Sequence, residues 1–296
     1  MRLESDSGLV PSVGSIAAEN SSFCHPRKFL NNRFVYTVIS SRAGGLSVGI
    51  NLVPQKTCNF NCVYCEVNRA HANEATLDAA QMAEELKGLL GFIRDGLLEK
   101  EPPYRNLPKH LLELRQVALS GDGEPTLTPN FLEAIETVIH VRATSKPPPF
   151  KLVLITNGSG LDRPQVQTAL KRFVASDEVW IKLDGGSETY LERINRSSIP
   201  LDRILCNTLK LAQQRPVVIQ SLFPEFKGER PNEAEIYQYA NRLKELKAQG
   251  AQIQLVQIYS AMRPSVNSEC RHLPLKDLMQ IARTVRTRTG LRAEVF

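Results

Sequence analysis

The stretch Val48-Gly-Ile-Asn-Leu-Val-Pro-Gln-Lys-Thr-Cys-Asn-Phe-Asn-Cys-Val-Tyr-Cys65 decides how the rest of the chain is read. Its first six residues, apolar or small except for Asn51, predict a strand, which Pro54 stops. Directly after the stop come Cys58, Cys62 and Cys65. Asn59 and Asn61 between them favour a loop, so the segment reads as a loop wrapping something at the C-terminal end of a strand. Three thiolates bunched this tightly converge on one soft-metal group without help from distant chain. Two alternatives stand beside that reading. Spacings of four and three also fit a stripe of small buried residues on a helix, and a zinc site would need a remote fourth ligand such as Cys24 or His71.

Working outward, the pattern of strand, polar motif and helix repeats. Asp78 is placed to cap a helix to about Arg94, with Met82, Leu86, Leu89, Leu90 and Ile93 on one stripe. Gln116–Ser120 reads as a buried strand, and Thr128-Pro129 reads as a helix start with Pro at the first helical position, opening Phe131 to Val141. Strands at 152–156, 178–184, 216–222 and 252–258 alternate with helices at 164–173, 201–213, from Pro231 to before Gly250, and 275–289. Residues 292–296 add a short terminal strand. Six βα units predict an α/β fold: a partial (β/α)6 TIM-type barrel, its parallel sheet covered by helices on the outer side. No composition break divides residues 34–296, which we expect to form one domain. Residues 1–33, rich in Ser and Asn, are expected to be a partly ordered, irregular leader.

In barrels of this kind chemistry gathers at the C-terminal ends of the strands. The polar motifs fall there: the cysteine run, then Gly121-Asp122-Gly123-Glu124, Thr156-Asn157-Gly158, and Lys182-Leu183-Asp184. Glycines let a main chain approach a ligand, and Glu124 can accept from an ammonium. Each short motif alone is equally an ordinary turn.

Bulk properties narrow the classes. The chain has 296 residues, 42% of them hydrophobic, enough for a globular core. No apolar run is long enough to span a bilayer, and acids stand at the N-terminus where a signal peptide would be apolar; a cytoplasmic protein with no membrane partner is expected. Six cysteines in a chain this long do not read as a disulfide framework. The formal charge of +6 comes from 37 basic and 31 acidic residues. The densest basic stretch, Arg283, Arg286, Arg288 and Arg292, is the candidate for nucleic-acid contact, against the plainer reading of a solvated helix face. Cys206 is expected on the apolar side of its helix.

The cysteine spacing, with Tyr64 just before the third cysteine, resembles the signature of the radical S-adenosylmethionine (SAM) enzymes. The resemblance implies a [4Fe-4S] cluster on Cys58, Cys62 and Cys65, with one iron open to chelate SAM. Its reductive cleavage then gives a 5′-deoxyadenosyl radical that abstracts hydrogen from substrate. Gly121-Asp122-Gly123-Glu124 looks like the family's glycine-glycine-glutamate motif, with Asp122 an addition to the short form. Thr156, Asn157, Lys182, Asp184, Arg196 and Gln257 stand where family members contact the cofactor, and Tyr259 is placed to border its adenine. The resemblance names no separate catalytic side chain. It implies a reductant such as flavodoxin or ferredoxin, and an RNA base (for example in tRNA) or a small metabolite as substrate. The stretches 41–54, 120–127 and 257–264 are similar to an uncharacterised bacterial and archaeal branch related to the enzymes that build the wyosine base on tRNA. Those enzymes also carry N-terminal cysteines for a second cluster and a pyruvate-binding lysine; this chain has only Cys24 before Cys58. A non-catalytic iron-sulfur or zinc module that binds RNA through a basic surface is the reading from another class.

Overall fold

A computed structural model describes residues 29–69 and 76–296. Eight strands form one sheet in the order β1-β2-β3-β4-β5-β6-β8-β10. They are β1 (Val35–Ser40), β2 (Gly45–Asn51), β3 (Leu114–Ser120), β4 (Lys151–Thr156), β5 (Glu178–Lys182), β6 (Val217–Leu222), β8 (Ile253–Tyr259) and β10 (Ala293–Val295). From β2 to β10 every pairing is parallel. The sheet is open, with β1 antiparallel on one edge. The helices that return the chain between strands are α1 (Ala79–Arg94), α2 (Phe131–Thr144), α3 (Pro164–Leu170), α5 (Leu201–Gln214), α6 (Glu233–Ala248) and α7 (Leu275–Thr289), with a further short α4 (Glu188–Ile194) ahead of α5. This is the six-unit α/β architecture expected, built as an open partial barrel.

Strand alternation explains which face does what. Leu46, Val48 and Ile50 of β2, Val117 and Leu119 of β3, Leu152 and Leu154 of β4, Val179 and Ile181 of β5, Ile219 of β6, and Val256 and Ile258 of β8 join one large apolar core with the helices. The residues between them point the other way. There Val153, Trp180 and Val218 form a separate small cluster with Ile155 and Leu255, and above it the face turns polar. Helix α1 shows how the outer layer is fixed. Asp78 accepts from the Gln81 amide (2.9 Å), a cap worth about 1 kcal/mol, and Met82, Leu86, Leu89 and Leu90 are buried as one stripe.

Several local expectations are corrected. Pro129 does not open α2: Glu124 first caps a single 3-10 turn at Pro125–Leu127, and α2 begins at Phe131 after Asn130. Pro231 likewise precedes α6, whose cap is Asn232 accepting from the Glu235 amide at 2.8 Å. Cys206 is exposed, because α5 buries Leu201, Ile204, Asn207, Thr208 and Ala212, and Cys206 falls outside that stripe. The sequence reading also lacked β1, α4 and a two-stranded ribbon of β7 (Glu225–Phe226) with β9 (Cys270–Arg271). Strand β1 is anchored by Glu85 of α1, whose carboxylate accepts from the amides of Arg33, Phe34 and Val35. Most of the leader assigned to 1–33, including Cys24, and also His71, lie outside the described residues. Among the described residues no helix is long and apolar enough to cross a membrane.

Candidate functional site

The segment after β2 is a loop, not a helix, which removes the buried-stripe alternative. Phe60 and Val63 plunge into the core and leave the three cysteines half-buried between them. Main-chain bonds to distant segments fix the loop. Asn61 and Val63 donate to the carbonyls of Asn195 and Ile194 at the end of α4 (2.9 and 2.8 Å), Val266 donates to the Cys65 carbonyl (3.0 Å), and Glu124 donates to the Thr57 carbonyl (3.0 Å). The three thiols are free of disulfides. Each sulfur accepts one N–H: Cys58 from the Phe60 amide (3.4 Å), Cys62 from Asn195 Nδ2 (3.4 Å), and Cys65 from Arg69 Nη2 (3.5 Å). Burial pushes the Cys58 thiol up to about 12 and the Cys62 thiol to about 11, with the nearby Asp184 charge adding to the second. A cationic metal group offsets that penalty by binding the thiolate form. Among the described residues no three His, Cys, Asp or Glu side chains are grouped to hold a single metal ion. Three thiolates from one loop, each with an N–H donor on its sulfur, fit the ligand set of an iron-sulfur cluster.

The glycine strap after β3 lies against this loop. A Cβ on Gly123 would sit 2.0 Å from the Thr57 carbonyl oxygen, so only glycine lets the strap approach the residue before Cys58. Gly121 has φ 143° and packs on Asn51, whose side chain bridges to Asp122 (Nδ2 to Oδ2, 2.8 Å). Glu124 is buried, and burial raises its pKa against the pull of its hydrogen bonds. Its Oε1 accepts from the Thr126 amide (3.1 Å) and from the hydroxyls of Thr126 (2.6 Å) and Thr156 (2.5 Å), while Oε2 accepts from the Asn157 amide (2.7 Å). Asn157 Nδ2 in turn donates to Asn59 Oδ1 (2.9 Å), inside the cysteine loop. Glu124, Thr156 and Asn157 are thus one network with that loop.

A second network centres on Asp184. Its Oδ2 accepts from the Tyr64 hydroxyl and from Asn195 Nδ2 (2.7 Å), and its Oδ1 accepts from the Leu222 amide (2.8 Å) and lies 3.4 Å from Lys182 Nζ. Burial alone would lower the Lys182 pKa, but Asp184 and the Tyr259 hydroxyl (3.0 Å from Nζ) override it and hold it above the ordinary value. Tyr64 is raised well above its ordinary value by burial and the Asp184 charge. Gln257 pairs with Gln220 Nε2 (2.9 Å) on the same concave face. Arg196 stands apart: it is exposed, with φ 44° and its guanidinium 6.0 Å from the Phe226 ring centroid. The residue that sequence reasoning passed over is Asn195. Fully buried, it reaches Cys62, Tyr64 and Asp184 with one amide group (3.4, 3.1 and 2.7 Å). Nothing in its neighbourhood marks it except its place at the end of a seven-residue helix.

The concave face borders a partly open cavity of about 500 Å³ that reaches from Ser47, Gln116, Ile155 and Trp180 to Glu66 and Val67, just past Cys65. The basic stretch near the C-terminus is largely occupied within the fold: Arg286 Nε donates to the Ala293 carbonyl (2.8 Å), Arg288 bonds Asn241 (3.1 Å), and Arg292 pairs with Glu294 (2.5 Å).

The family model described as the radical SAM superfamily matches residues 52–240, more than half of the chain. A Helicobacter pylori protein known as "UPF0026 protein" is 31% identical over 191 residues, covering 62% of this chain and 53% of the relative. The chain thus spans about half the length of that curated relative. Among solved structures, Streptococcus suis SuiB bound to precursor peptide SuiA aligns with a TM-score of 0.58 at 13% identity, covering 86% of this chain and 49% of that one. TYW1 with a lysine-pyruvate adduct aligns with a TM-score of 0.53 at 18% identity, covering 84% and 75%. At these identities the likeness is one of fold.

Proposed function

Because the chain belongs to the radical SAM superfamily, we propose that Cys58, Cys62 and Cys65 hold a [4Fe-4S] cluster on which SAM is cleaved reductively. When bound, cluster and SAM together supply a 5′-deoxyadenosyl radical able to abstract hydrogen from a substrate. This chain's own residues hold and orient. Phe60, Asn195 and Arg69 donate to the three sulfurs, an arrangement that stabilises the more reduced, more negative state. Gly121 and Gly123 keep the strap free of side chains, and Glu124 Oε2 keeps a lone pair for the ammonium of SAM beyond its bond to Asn157. Lys182, held charged by Asp184 and Tyr259, is placed for an anionic group, and Asp184 and Asn195 fix Tyr64 beside the cluster ligands. Asp122, Thr156, Asn157, Arg196 and Gln257 complete the cofactor contacts in this reading. The observation that carries it is the direct bond of Glu124 to Thr57, which joins the cysteine loop and the glycine strap into one unit.

The protein reduced by dithionite after anaerobic cluster reconstitution should convert SAM to 5′-deoxyadenosine. Intact cluster absorbance with no product would overturn the reading. In the cell, a cytoplasmic flavodoxin or ferredoxin would supply the electron, and an RNA base or a small metabolite would give up the hydrogen. Under the alternative of a non-catalytic RNA-binding module, SAM would leave the cluster's spectrum unchanged.

A further inference from the structure

The concave cavity holds two groups that the fold leaves unanswered. Gln116 is 2% exposed, and its Nε2 donates to Ser47 Oγ (3.2 Å), but its Oε1 is buried with no partner among the described residues. A buried amide oxygen without a donor is costly, and such groups in folded proteins usually have a partner. Gln116 and Ser47 both line the cavity. The second group is Arg42, at the turn between β1 and β2. Its guanidinium stacks 4.2 Å from the Tyr259 ring centroid, which leaves its N–H edges free among the described residues. Arg263 in the same lining is neutralised by Glu66 (3.4 Å). Arg42 has no carboxylate partner among the described residues, though it too lines the cavity. An acceptor without a donor and a stacked guanidinium without a carboxylate partner among the described residues thus line one partly open space of about 500 Å³, with Trp180 as part of its wall.

We infer that this cavity is the substrate site, and that it takes a small organic anion, a phosphate or carboxylate held by Arg42, whose N–H or O–H group is accepted by Gln116. The assignment of that ligand as substrate rests on the radical SAM reading; the binding itself does not. The volume suits a molecule of nucleotide size or smaller.

Trp180 is the single tryptophan of the chain and lines the cavity, so its emission reports on occupancy. The reconstituted protein is titrated anaerobically with inorganic phosphate, citrate and uridine 5′-monophosphate. The first two separate phosphate from carboxylate, and the third joins phosphate to N–H and O–H donors. A saturable change with phosphate or with citrate names the anion. Arg42→Ala, and Arg42→Gln as the milder variant, should weaken that binding by about tenfold or more, and Arg42→Lys should restore part of it. Uridine monophosphate should bind more tightly than phosphate, and Gln116→Leu should erase that advantage while leaving phosphate unaffected. Cluster absorbance and a thermal melt show whether each variant is intact. No saturable signal from any probe, or equal affinities in wild type, Arg42→Ala and Arg42→Gln, overturns the site. Uridine monophosphate binding no tighter than phosphate overturns the role of Gln116. None of these readouts requires SAM cleavage, so failure here and failure of the radical reading are seen separately.

Discussion

Two neighbours on β4, Leu154 and Val153, are both fully buried but live in different solvents. Leu154 points outward into the large core under the helices. Val153 points inward to a cluster of three buried side chains, and beyond it the concave face is built of Gln116, Gln220, Gln257, Lys182 and Tyr259. The same alternation recurs on β2, β3, β5, β6 and β8. The difference teaches a division of labour. The convex face carries the stability, because burying aliphatic surface there is unopposed by polar groups. The concave face gives that up for groups that bind and orient.

The largest test of that division is a paired truncation on one strand. Leu154→Ala should cost about 2–5 kcal/mol, since the large core cannot collapse around the void. Val153→Ala should cost about 1.5 kcal/mol, the value of two methyl groups. Denaturant unfolding of both variants measures the contrast. Equal losses would mean that the inner cluster is as tightly built as the outer core, and the comparison would break.

A residue that belongs to neither face sharpens it next. Asn195 closes α4 and ties Cys62, Tyr64 and the buried Asp184 together. Asn195→Leu removes a hydrogen bond to a buried carboxylate, and about 1.5–3 kcal/mol should be lost. Its second readout is electrochemical. With the N–H donor to Cys62 gone, the reduction potential of the reconstituted cluster should fall, because hydrogen bonds to ligand sulfurs favour the reduced state. A stability loss with an unmoved potential would make Asn195 a structural cap only.

Why Asn195 escaped the sequence while Cys58, Cys62 and Cys65 did not is a matter of range. The cysteines announce themselves by local spacing, and the six strand–helix units by local period. The meeting of Asn195 with Cys62 spans 133 positions and depends on where a seven-residue helix stops, too short to show a stripe. Strand β1 was missed for a related reason: its pairing with β2 is set by a turn and by Glu85, 50 positions from Val35. The proline errors at Pro129 and Pro231 were errors of register. Proline marks a helix start well, but Asn130 and Asn232 stand between each proline and its helix, and α6 uses Asn232 as its side-chain cap. For the candidate site, the strand-end motifs were legible as positions. That Glu124 would accept from Thr156 and Asn157 was not, because only the fold brings β3 and β4 into register.

The smallest expected effect sets the two faces apart by pH. Burial raises the folded-state pKa of Glu124 above its ordinary value of 4.5. Between the unfolded and folded values the native chain therefore binds more protons than the unfolded one, so stability falls as pH rises through that window and the loss is complete above it. Glu124→Gln removes this titration. The melting temperature of wild type relative to the variant should decline as pH rises from about 4 toward neutrality, by less than about 4 °C. Leu154 has no charge to titrate, so the deficit of Leu154→Ala should stay flat over the same range. A flat difference for Glu124→Gln as well would show that the four donors around the carboxylate cancel its burial, leaving Glu124 as ready to hold a charge as a glutamate in water.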